Sequence, residues 1–494
     1  MPSRRVVLGL PLCGLLLLPL LEPQQPTAST LITGATIADG TGSPLRDGDV
    51  RVTGDRIAEL GKLSPRTGER VIDGRGLVLA PGFIDLHNHS TAIDKEPVAT
   101  TQVSQGLTTI LVGQDGSSPW PIKDYLEDRR AHPAALNLQV MAGHATIRRK
   151  VMGDDYKRVA TAEEIAAMAK LVDAAMSEGA VGLSSGLEYE VGSYSNSPEL
   201  IEMARAAGAR RGIYLSHVRD EGDHVMDSFN EVIRIAEQGR LPVGISHIKL
   251  GTEAVWGKSK QVVDLVNRAR ARGVKIEADC YPYEAWSSTI AVLVLDKQYD
   301  NPVSVGKGLA DVGGAANVTI TRCAKHPDFE GKTLEEVARA NEMTPVAMYS
   351  KIIRDGGAGI VCHAMKEDDI RTFYQQPWVA VASDGGIGMQ HPRGAGTFPR
   401  VLGVYVRERH WLTLEEAIRK MTSLPAARLK LKDRGQIRVG AYADLVLFNA
   451  KTVKDNSTFA EPQKIATGIE KVFVNGTLVW DGGKTTGALP GRVV

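Results

Sequence analysis

The chain has 494 residues, and its 59 Lys and Arg side chains nearly balance its 58 Asp and Glu side chains, which gives a formal net charge of +1. This balance gives no electrostatic reason to expect a nucleic acid or a membrane surface as the partner. Hydrophobic residues make up 43% of the chain, enough for the cores of one large domain and one smaller domain.

Residues 1–29 have the features of an export signal. Arg4 and Arg5 precede an apolar run over residues 6–21, and a polar segment follows that run. The run is short and contains two prolines, which disfavours a membrane-spanning helix. Paired arginines before an apolar run are typical of a twin-arginine signal, and a Sec signal is the alternative. We predict an exported, periplasmic protein with no stable membrane anchor.

Both ends of the mature chain are rich in short β-like runs and contain no helical pattern between them. Residues 30–80 form the first such region and residues 429–494 the second. Gly and Asp turns separate the runs, as expected for antiparallel strands. We predict one small β-sandwich whose two halves come from the two ends of the chain.

Residues 81–428 alternate between strand-like and helix-like patterns, which favours a parallel sheet or barrel. Eight strands over this length fit a (β/α)8 barrel, an α/β fold. The predicted strands are 83–89, 108–113, 138–143, 181–185, 213–217, 243–247, 276–281 and 379–384. Residues 289–360 exceed one strand–helix unit, and we predict an inserted subdomain or lid there, between strands seven and eight.

The first barrel strand ends in two histidines, His87 and His89. Residues two apart on an extended strand point to the same face, so the two imidazoles are expected to converge. Converging imidazoles at a strand end suit a divalent metal, zinc foremost. The alternative is a buried strand with two structural histidines.

Other polar residues follow the ends of the remaining barrel strands. They are Asp115, His144, His217, His247 and Asp384. A single histidine at a strand end is more often structural than functional. A barrel, however, keeps its active site at the carboxyl ends of its strands, so these residues would share one face with His87 and His89. Together they predict a metal site.

Several motifs in this order resemble those of known hydrolases. The segment 81–89, the single histidines on strands five and six, the Asp on strand eight and the closing segment 435–446 resemble the amidohydrolase superfamily. Further segments are similar to the N-acyl-D-amino-acid deacylases (D-aminoacylases). They are 143–148, 182–189, 216–221, 246–249, 279–283 and 391–398.

The resemblance implies metal-dependent hydrolysis of the amide bond of N-acyl-D-amino acids, giving a carboxylic acid and a free D-amino acid. It implies one or two divalent ions, with zinc the expected metal. In that family the second strand ends in a cysteine that holds the zinc, whereas Asp115 stands at this position here. A carboxylate is still a zinc ligand, so we expect Asp115 to bind metal. The alternative is that Asp115 is only a turn residue before Gly116.

These residues receive the following roles as hypotheses. Asp115, His217 and His247 would hold the principal metal, and His87 and His89 would hold a second metal beside Asp384. Asp384 would be the general acid and base for metal-activated water.

The expected partner is a small molecule that carries a carboxylate. Arg393 is predicted to clamp that carboxylate. Lys249 would steady a substrate carbonyl or carboxylate, with a solvated lysine as the alternative. By analogy with the family, Tyr189, Tyr283 and Ser288 would line the same mouth. His144 and His363 are candidates for a position behind the metal ligands, with a purely structural role as the alternative.

Two other functions remain open from the sequence. The same chemistry could act on dipeptides, cyclic amides or other carboxylate-bearing amides. A barrel that has lost its metal could instead serve as a binding or scaffold protein, but such barrels usually lose their histidines. The chain has no nucleophile elbow and no Walker loop, so a serine hydrolase and a P-loop enzyme are not indicated.

Overall fold

The computed structural model describes Met1 and residues 29–494. Residues 2–28, which carry nearly all of the predicted export signal, lie outside the described residues. Among the described helices, none has both the length and the apolar character that crossing a membrane requires.

The strands and helices of the described residues alternate through most of the chain. The strands are β1 (Ser29–Ile37), β2 (Arg46–Thr53), β3 (Arg56–Gly61), β4 (Arg70–Asp73), β5 (Val78–Pro81), β6 (Phe83–Asp85), β7 (Leu107–Val112), β8 (Asn137–Val140), β9 (Ala142–Gly143), β10 (Gly182–Gly186), β11 (Ile213–His217), β12 (Val243–Ile245), β13 (Ile276–Cys280), β14 (Trp286–Thr289), β15 (Val318–Arg322), β16 (Gly359–Cys362), β17 (Val379–Val381), β18 (Leu445–Phe448), β19 (Ile469–Val474), β20 (Thr477–Asp481) and β21 (Lys484–Thr485). The α-helices are α1 (Thr100–Val103), α2 (Ile122–Ala131), α3 (His144–Met152), α4 (Ala162–Glu178), α5 (Ser197–Ala209), α6 (Val225–Gly239), α7 (Ser259–Ala271), α8 (Pro302–Asp311), α9 (Leu334–Ala340), α10 (Pro345–Arg354), α11 (Glu367–Tyr374), α12 (Arg393–Arg400), α13 (Leu414–Met421) and α14 (Ser423–Arg428).

The two ends of the described chain meet in one nine-stranded sheet. Its strand order is β21-β20-β19-β18-β5-β1-β2-β3, with β4 paired to β1. The antiparallel pair between β5 and β18 joins the two ends, with Leu79 opposite Leu447. Strand residues such as Ile32, Val50 and Leu445 bury their side chains in an apolar core that is separate from that of the barrel. The predicted sandwich is therefore one continuous hydrogen-bonded sheet.

Eight parallel strands form the barrel, as predicted, when β8 and β9 are counted as one interrupted strand. The strand order runs from β6 through β7 and β8, and then from β9 through β10, β11, β12 and β13 to β17. The third predicted strand is interrupted between β8 and β9. A parallel bridge between Asn88 and Gly385 closes the ring, and the His89 N–H donates to the Gly385 carbonyl at 2.7 Å. Helices such as α4 and α7 separate the barrel strands, and a Thr161–Glu164 capping box begins α4.

The first barrel strand is shorter than predicted. It ends at Asp85, so His87 and His89 follow the strand instead of lying within it. The Asp85 carboxylate explains the early end, because it accepts hydrogen bonds from the His87 N–H and the Asn88 side chain. It also accepts from the Ser383 hydroxyl, across the closing edge of the barrel. These side-chain bonds replace the strand ladder and hold both histidines at the mouth.

Between β13 and β17 the chain builds a separate layer over the barrel mouth. Strands β14, β16 and β15 form an antiparallel sheet in that order. Helices α8, α9 and α10 pack on it around an apolar core that includes Ile290, Leu309 and Ile352. We call this layer, residues 286–362, the insert.

Candidate active site

A cavity of about 630 Å³ opens at the carboxyl ends of the barrel strands. Its inner part is lined by side chains at or just after the ends of barrel strands, among them His217, His247 and Asp384. Its outer part is lined largely by the insert, which contributes Ser288 and apolar residues such as Leu295. The cavity therefore joins a polar base to a partly apolar entrance.

Four side chains converge at the polar end of this cavity, which we call the base. They are His87, Asp115, His247 and Asp384, and each offers one nitrogen or oxygen atom within 4.8 Å of the others. His247 and Asp384 line the cavity itself, and Asp115 and His87 lie against them. His87 Nε2 lies 3.3 Å from Asp115 Oδ2 and 3.4 Å from Asp384 Oδ1. His247 Nε2 lies 3.8 Å from Asp115 Oδ1. The predicted convergence of strand-end residues is therefore present, and it includes Asp115.

Three of these residues occupy an unusual backbone conformation. Asp115, His247 and Asp384 have φ values of 54°, 36° and 47°, in the left-handed region that residues other than glycine rarely adopt. Each of them lies just beyond the end of a barrel strand. Such conformations persist only where the surroundings enforce them, and they concentrate at functional sites.

The two other predicted metal ligands, His89 and His217, lie next to these four residues. His89 Nε2 lies 3.0 Å from Asp384 Oδ1 and 3.5 Å from Asp115 Oδ2, and its side chain is 35% exposed. His217 Nδ1 lies 2.9 Å from His247 Nε2 and 3.2 Å from the Tyr189 hydroxyl. His217 also forms a second cluster of potential metal ligands with His247 and Glu221.

The residues present fit zinc. Imidazole nitrogens and carboxylate oxygens are its usual ligands, and two nitrogens on one tetrahedral zinc lie about 3.3 Å apart. The 2.9 Å between His217 Nδ1 and His247 Nε2 is close to that value. Asp115 Oδ1 is buried with no hydrogen-bond partner, and it lies 3.8 Å from His247 Nε2. A buried carboxylate oxygen without a partner is costly, and a cation at this point would satisfy it.

The two carboxylates at the base are held in their ionised form. Burial alone would raise the pKa of Asp384, but the Arg393 guanidinium and His247 hold it well below its usual range. Burial would likewise raise the pKa of Asp115, and His87 and His247 hold it well below its usual range. Both side chains therefore offer negative charge to a metal at neutral pH.

Arg393 lies beside Asp384 and faces the cavity. Its Nη1 is 2.9 Å from Asp384 Oδ2, and its guanidinium stacks over the Tyr281 ring at 4.7 Å. Its Nε is buried without a hydrogen-bond partner. A substrate carboxylate could satisfy that nitrogen, as the sequence prediction requires.

Lys249 is buried, so the alternative of a solvated lysine is wrong. Its ammonium lies 2.6 Å from Glu221 Oε1 and 2.6 Å from His247 Nδ1. Lys249, Tyr189 and Ser288 all line the cavity. These three predicted substrate contacts therefore have access to a bound molecule.

The prediction that Tyr283 lines the mouth is wrong. Its hydroxyl lies 3.3 Å from Asp455 Oδ2 and 3.4 Å from the Pro392 carbonyl, outside the cavity lining. The segment that carries Asp455 comes from the far end of the chain and covers this side of the ring.

For His144 and His363, the contacts support the alternative of a purely structural role. His144 Nε2 bonds to Glu199 at 2.8 Å, and Glu199 also pairs with Arg148, which places this network between α3 and α5. His363 is exposed at the surface, where its ring packs edge-on against Phe459. Within the described residues, neither histidine is bonded to a proposed metal ligand.

Three acidic residues at the site were not predicted. Glu188 and Glu221 face His217 and His247, and Asp279 Oδ1 accepts from the His247 N–H at 2.7 Å. Glu221 lies four residues after His217, and Glu188 lies two residues after β10. Their positions at strand ends were the available signal, but acidic residues in such loops are usually solvated.

The chain resembles known proteins over nearly its whole length. A family model described as the amidohydrolase family matches residues 70–480. A D-aminoacylase of Alcaligenes xylosoxydans xylosoxydans is 37% identical, with 94% of this chain and 97% of that protein covered. An N-acyl-D-aspartate deacylase from the same organism is 36% identical, with 96% of each covered.

A solved structure gives the same result in three dimensions. An N-acyl-D-glutamate deacylase from Bordetella bronchiseptica superposes with a TM-score of 0.85 at 33% identity, over 94% of this chain and 98% of that chain. That structure contains zinc and a phosphonate inhibitor described as a mimic of the tetrahedral intermediate of the reaction.

Proposed function

Because this chain belongs to the amidohydrolase family, we propose that it hydrolyses the amide bond of N-acyl-D-amino acids with the help of a bound divalent metal. The products are a carboxylic acid and a free D-amino acid. The names of relatives at 36–37% identity support this substrate class.

One observation carries the proposal. The four potential ligands His87, Asp115, His247 and Asp384 meet at the base of a cavity, with Arg393 2.9 Å from Asp384. A metal site next to a buried guanidinium suits an amide whose neighbouring group is a carboxylate, as in an N-acyl amino acid. We expect zinc, as one or two ions, held by His87, His89, Asp115, His217, His247 and Asp384.

When bound, zinc supplies a Lewis acid and makes water acidic enough to ionise near neutral pH. Asp384 Oδ1 faces the cluster of histidines, so this oxygen can take the proton of the attacking water and return it to the departing amine. Arg393 keeps that carboxylate ionised, as a base must be before the reaction.

The substrate carboxylate would bind on the other side of the cavity base. Arg393 Nε is buried and without a partner, and Lys249 carries a second positive charge in the cavity wall. Tyr189 and Ser288 line the same space and can donate hydrogen bonds. Fixing both the carboxylate and the amide carbonyl would orient the scissile bond toward Asp384.

A panel of N-acetyl-D- and N-acetyl-L-amino acids, assayed for released amine with the zinc-loaded protein, tests the proposal. We expect turnover of D-substrates and little turnover of their L-enantiomers. Dipeptides and cyclic amides in the same panel test the alternative substrates, and preferred turnover of either would overturn the proposed substrate class. Absence of bound metal and of any turnover would favour a scaffold protein instead.

We also propose that the protein is exported to the periplasm. Arg4 and Arg5, followed by the apolar run over residues 6–21, support this proposal. The test is fractionation of cells expressing the full chain, beside a variant with both Arg4→Lys and Arg5→Lys. Accumulation of the parent in the periplasm and retention of the variant in the cytoplasm indicate a twin-arginine route. Periplasmic accumulation of both indicates a Sec route, and cytoplasmic parent protein contradicts export.

A further inference from the structure

The rings of His217 and His247 each face two different environments. His217 Nδ1 and His247 Nε2 point toward each other at 2.9 Å, on the side of the proposed metal. The remaining ring nitrogens lie on the other side of each ring, and each of them meets a carboxylate. His217 Nε2 lies 2.9 Å from Glu188 Oε2, and His247 Nδ1 lies 3.1 Å from Glu221 Oε1.

Glu188 is the simpler of these two contacts. Glu221 also pairs with Lys249 at 2.6 Å, so a substitution there would disturb three side chains at once. Glu188 makes its side-chain hydrogen bond to His217 alone among the described residues, and its side chain is only 12% exposed. Glu188 also belongs to neither cluster of potential metal ligands in the described part of the chain.

We propose that Glu188 is a positioning residue that fixes the tautomer and the ring orientation of His217. A neutral imidazole carries one N–H and one lone pair. If the Nε2–H donates to Glu188, the lone pair must lie on Nδ1, which faces His247. A carboxylate behind a ligating histidine also raises the basicity of the ring and strengthens its bond to a metal. This inference rests on the metal site of the proposed function and concerns metal affinity, not the choice of substrate.

The neighbouring residues of the same loop do not make the contact that Glu188 makes. Tyr189, the next residue, packs against the same ring with the ring centroids 4.4 Å apart, and its hydroxyl lies 3.2 Å from His217 Nδ1. The loop after β10 therefore contacts both ring nitrogens of His217. Only Nε2, the nitrogen beside Glu188, is not the one that faces the proposed metal. Glu190, two residues further on, instead pairs with Lys157 at 3.0 Å on the surface. Of the two glutamates in this loop, only Glu188 therefore places its carboxylate on His217.

The zinc dissociation constant, measured by competition with a chelator and without substrate, tests this role. Glu188→Leu removes the acceptor, whereas Glu188→Gln keeps an oxygen that can accept the same hydrogen bond. Glu190→Gln is the matched control in the same loop. We expect zinc affinity to fall about 10- to 100-fold in Glu188→Leu, to fall less in Glu188→Gln and to stay unchanged in the control.

A second measurement separates positioning from a general loss of structure. In the zinc-loaded protein with ¹⁵N-labelled histidine, the Nε2-bound proton of His217 should be protected from exchange with water. It can be assigned by its absence from His217→Asn. We expect Glu188→Gln to keep this signal and Glu188→Leu to lose it. If the Leu variant does not fold, Glu188→Ser replaces it in both measurements.

Parent-like zinc affinity and a protected His217 proton in Glu188→Leu or its replacement would overturn the role of Glu188. Equal weakening by Glu188→Leu and Glu190→Gln would also overturn it, because the effect would then belong to the loop as a whole. Neither result bears on the proposed function. The substrate panel can fail while the affinity of the metal still depends on Glu188.

Discussion

The inner and outer parts of the cavity are built in different ways. The base consists of His87, Asp115, His247 and Asp384, which follow barrel strands and whose side chains are at most 9% exposed. The outer wall comes largely from the insert and is partly apolar. Two of its side chains, Leu295 and Val303, are 47% and 79% exposed. Large apolar side chains at the mouth of a cavity are typical of a surface that a bound molecule covers.

This difference separates chemistry from selectivity. Charged groups at the base are held by strand ends and by each other, so they can keep a metal and a proton acceptor in fixed positions. The outer wall offers contact area and few fixed partners, so it can bind the variable group of a substrate. Substitutions at the base should therefore reduce metal binding or kcat, whereas substitutions in the wall should change KM.

The largest effect is expected from His247→Ala. His247 belongs to both clusters of potential ligands, so its loss should remove bound zinc and activity together. Metal content after dialysis, measured beside kcat, checks this outcome. His132→Ala, at an exposed histidine that does not line the cavity, is the control and should keep both. Full zinc occupancy in His247→Ala would mean that the base is not the metal site.

Asp384→Asn should have the next largest effect. The amide keeps the shape of the side chain but cannot accept the proton, and general base catalysis typically contributes about 10²- to 10⁴-fold. We expect kcat to fall by about that factor while the principal zinc ion stays bound. Near-parental turnover would remove Asp384 from the role of general base.

Arg393→Lys tests the boundary between the two regions. Lysine keeps the charge but loses the planar fork, so a carboxylate should lose at least one charge-assisted hydrogen bond of about 1.5 kcal/mol. We expect KM for free-acid substrates to rise by at least about ten-fold. Neutral amide analogues should be affected far less. Equal losses on both types of substrate would show that Arg393 acts through Asp384 alone.

Leu295→Ala should have the smallest effect. Removing part of a half-exposed apolar side chain should raise KM about three-fold for substrates with a large apolar group, with kcat unchanged. Substrates with a small group should not respond. Val439→Ala, an exposed valine outside the cavity, is the control. A change in kcat, or the same change with small substrates, would contradict the division between base and wall.

The sequence predicted that strand-end side chains converge at one place, but it did not predict the contacts around them. Barrel strands recur at regular intervals, so residues such as His217 and His247 could be assigned to one face before the fold was known. Tyr283 was misplaced because the segment that covers it, around Asp455, lies 172 residues away in the chain. No local pattern reports such a contact.

Loops at the site were harder to interpret than strand ends. Glu188 and Glu221 lie in loops, so no periodic pattern in the sequence predicts where their side chains point. An acidic residue in a loop is usually solvated. Their role is visible only because the structure places each carboxylate on the outer nitrogen of a histidine. His144 shows the converse, since it follows a strand end but bonds to Glu199 between two helices. A strand-end position is therefore informative only when several side chains converge.

The most direct test of the base as a metal site is the zinc content of the parent, Asp115→Ala and Asp115→Cys after identical dialysis with and without chelator. Asp115 Oδ1 is buried and has no hydrogen-bond partner, so we expect Asp115→Ala to lose zinc. Asp115→Cys should retain it, because a thiolate also offers an anionic ligand from a short side chain, with a bond of about 2.3 Å to sulfur. If Asp115→Ala holds as much zinc as the parent, Asp115 is only a turn residue, and the metal site lies on other ligands.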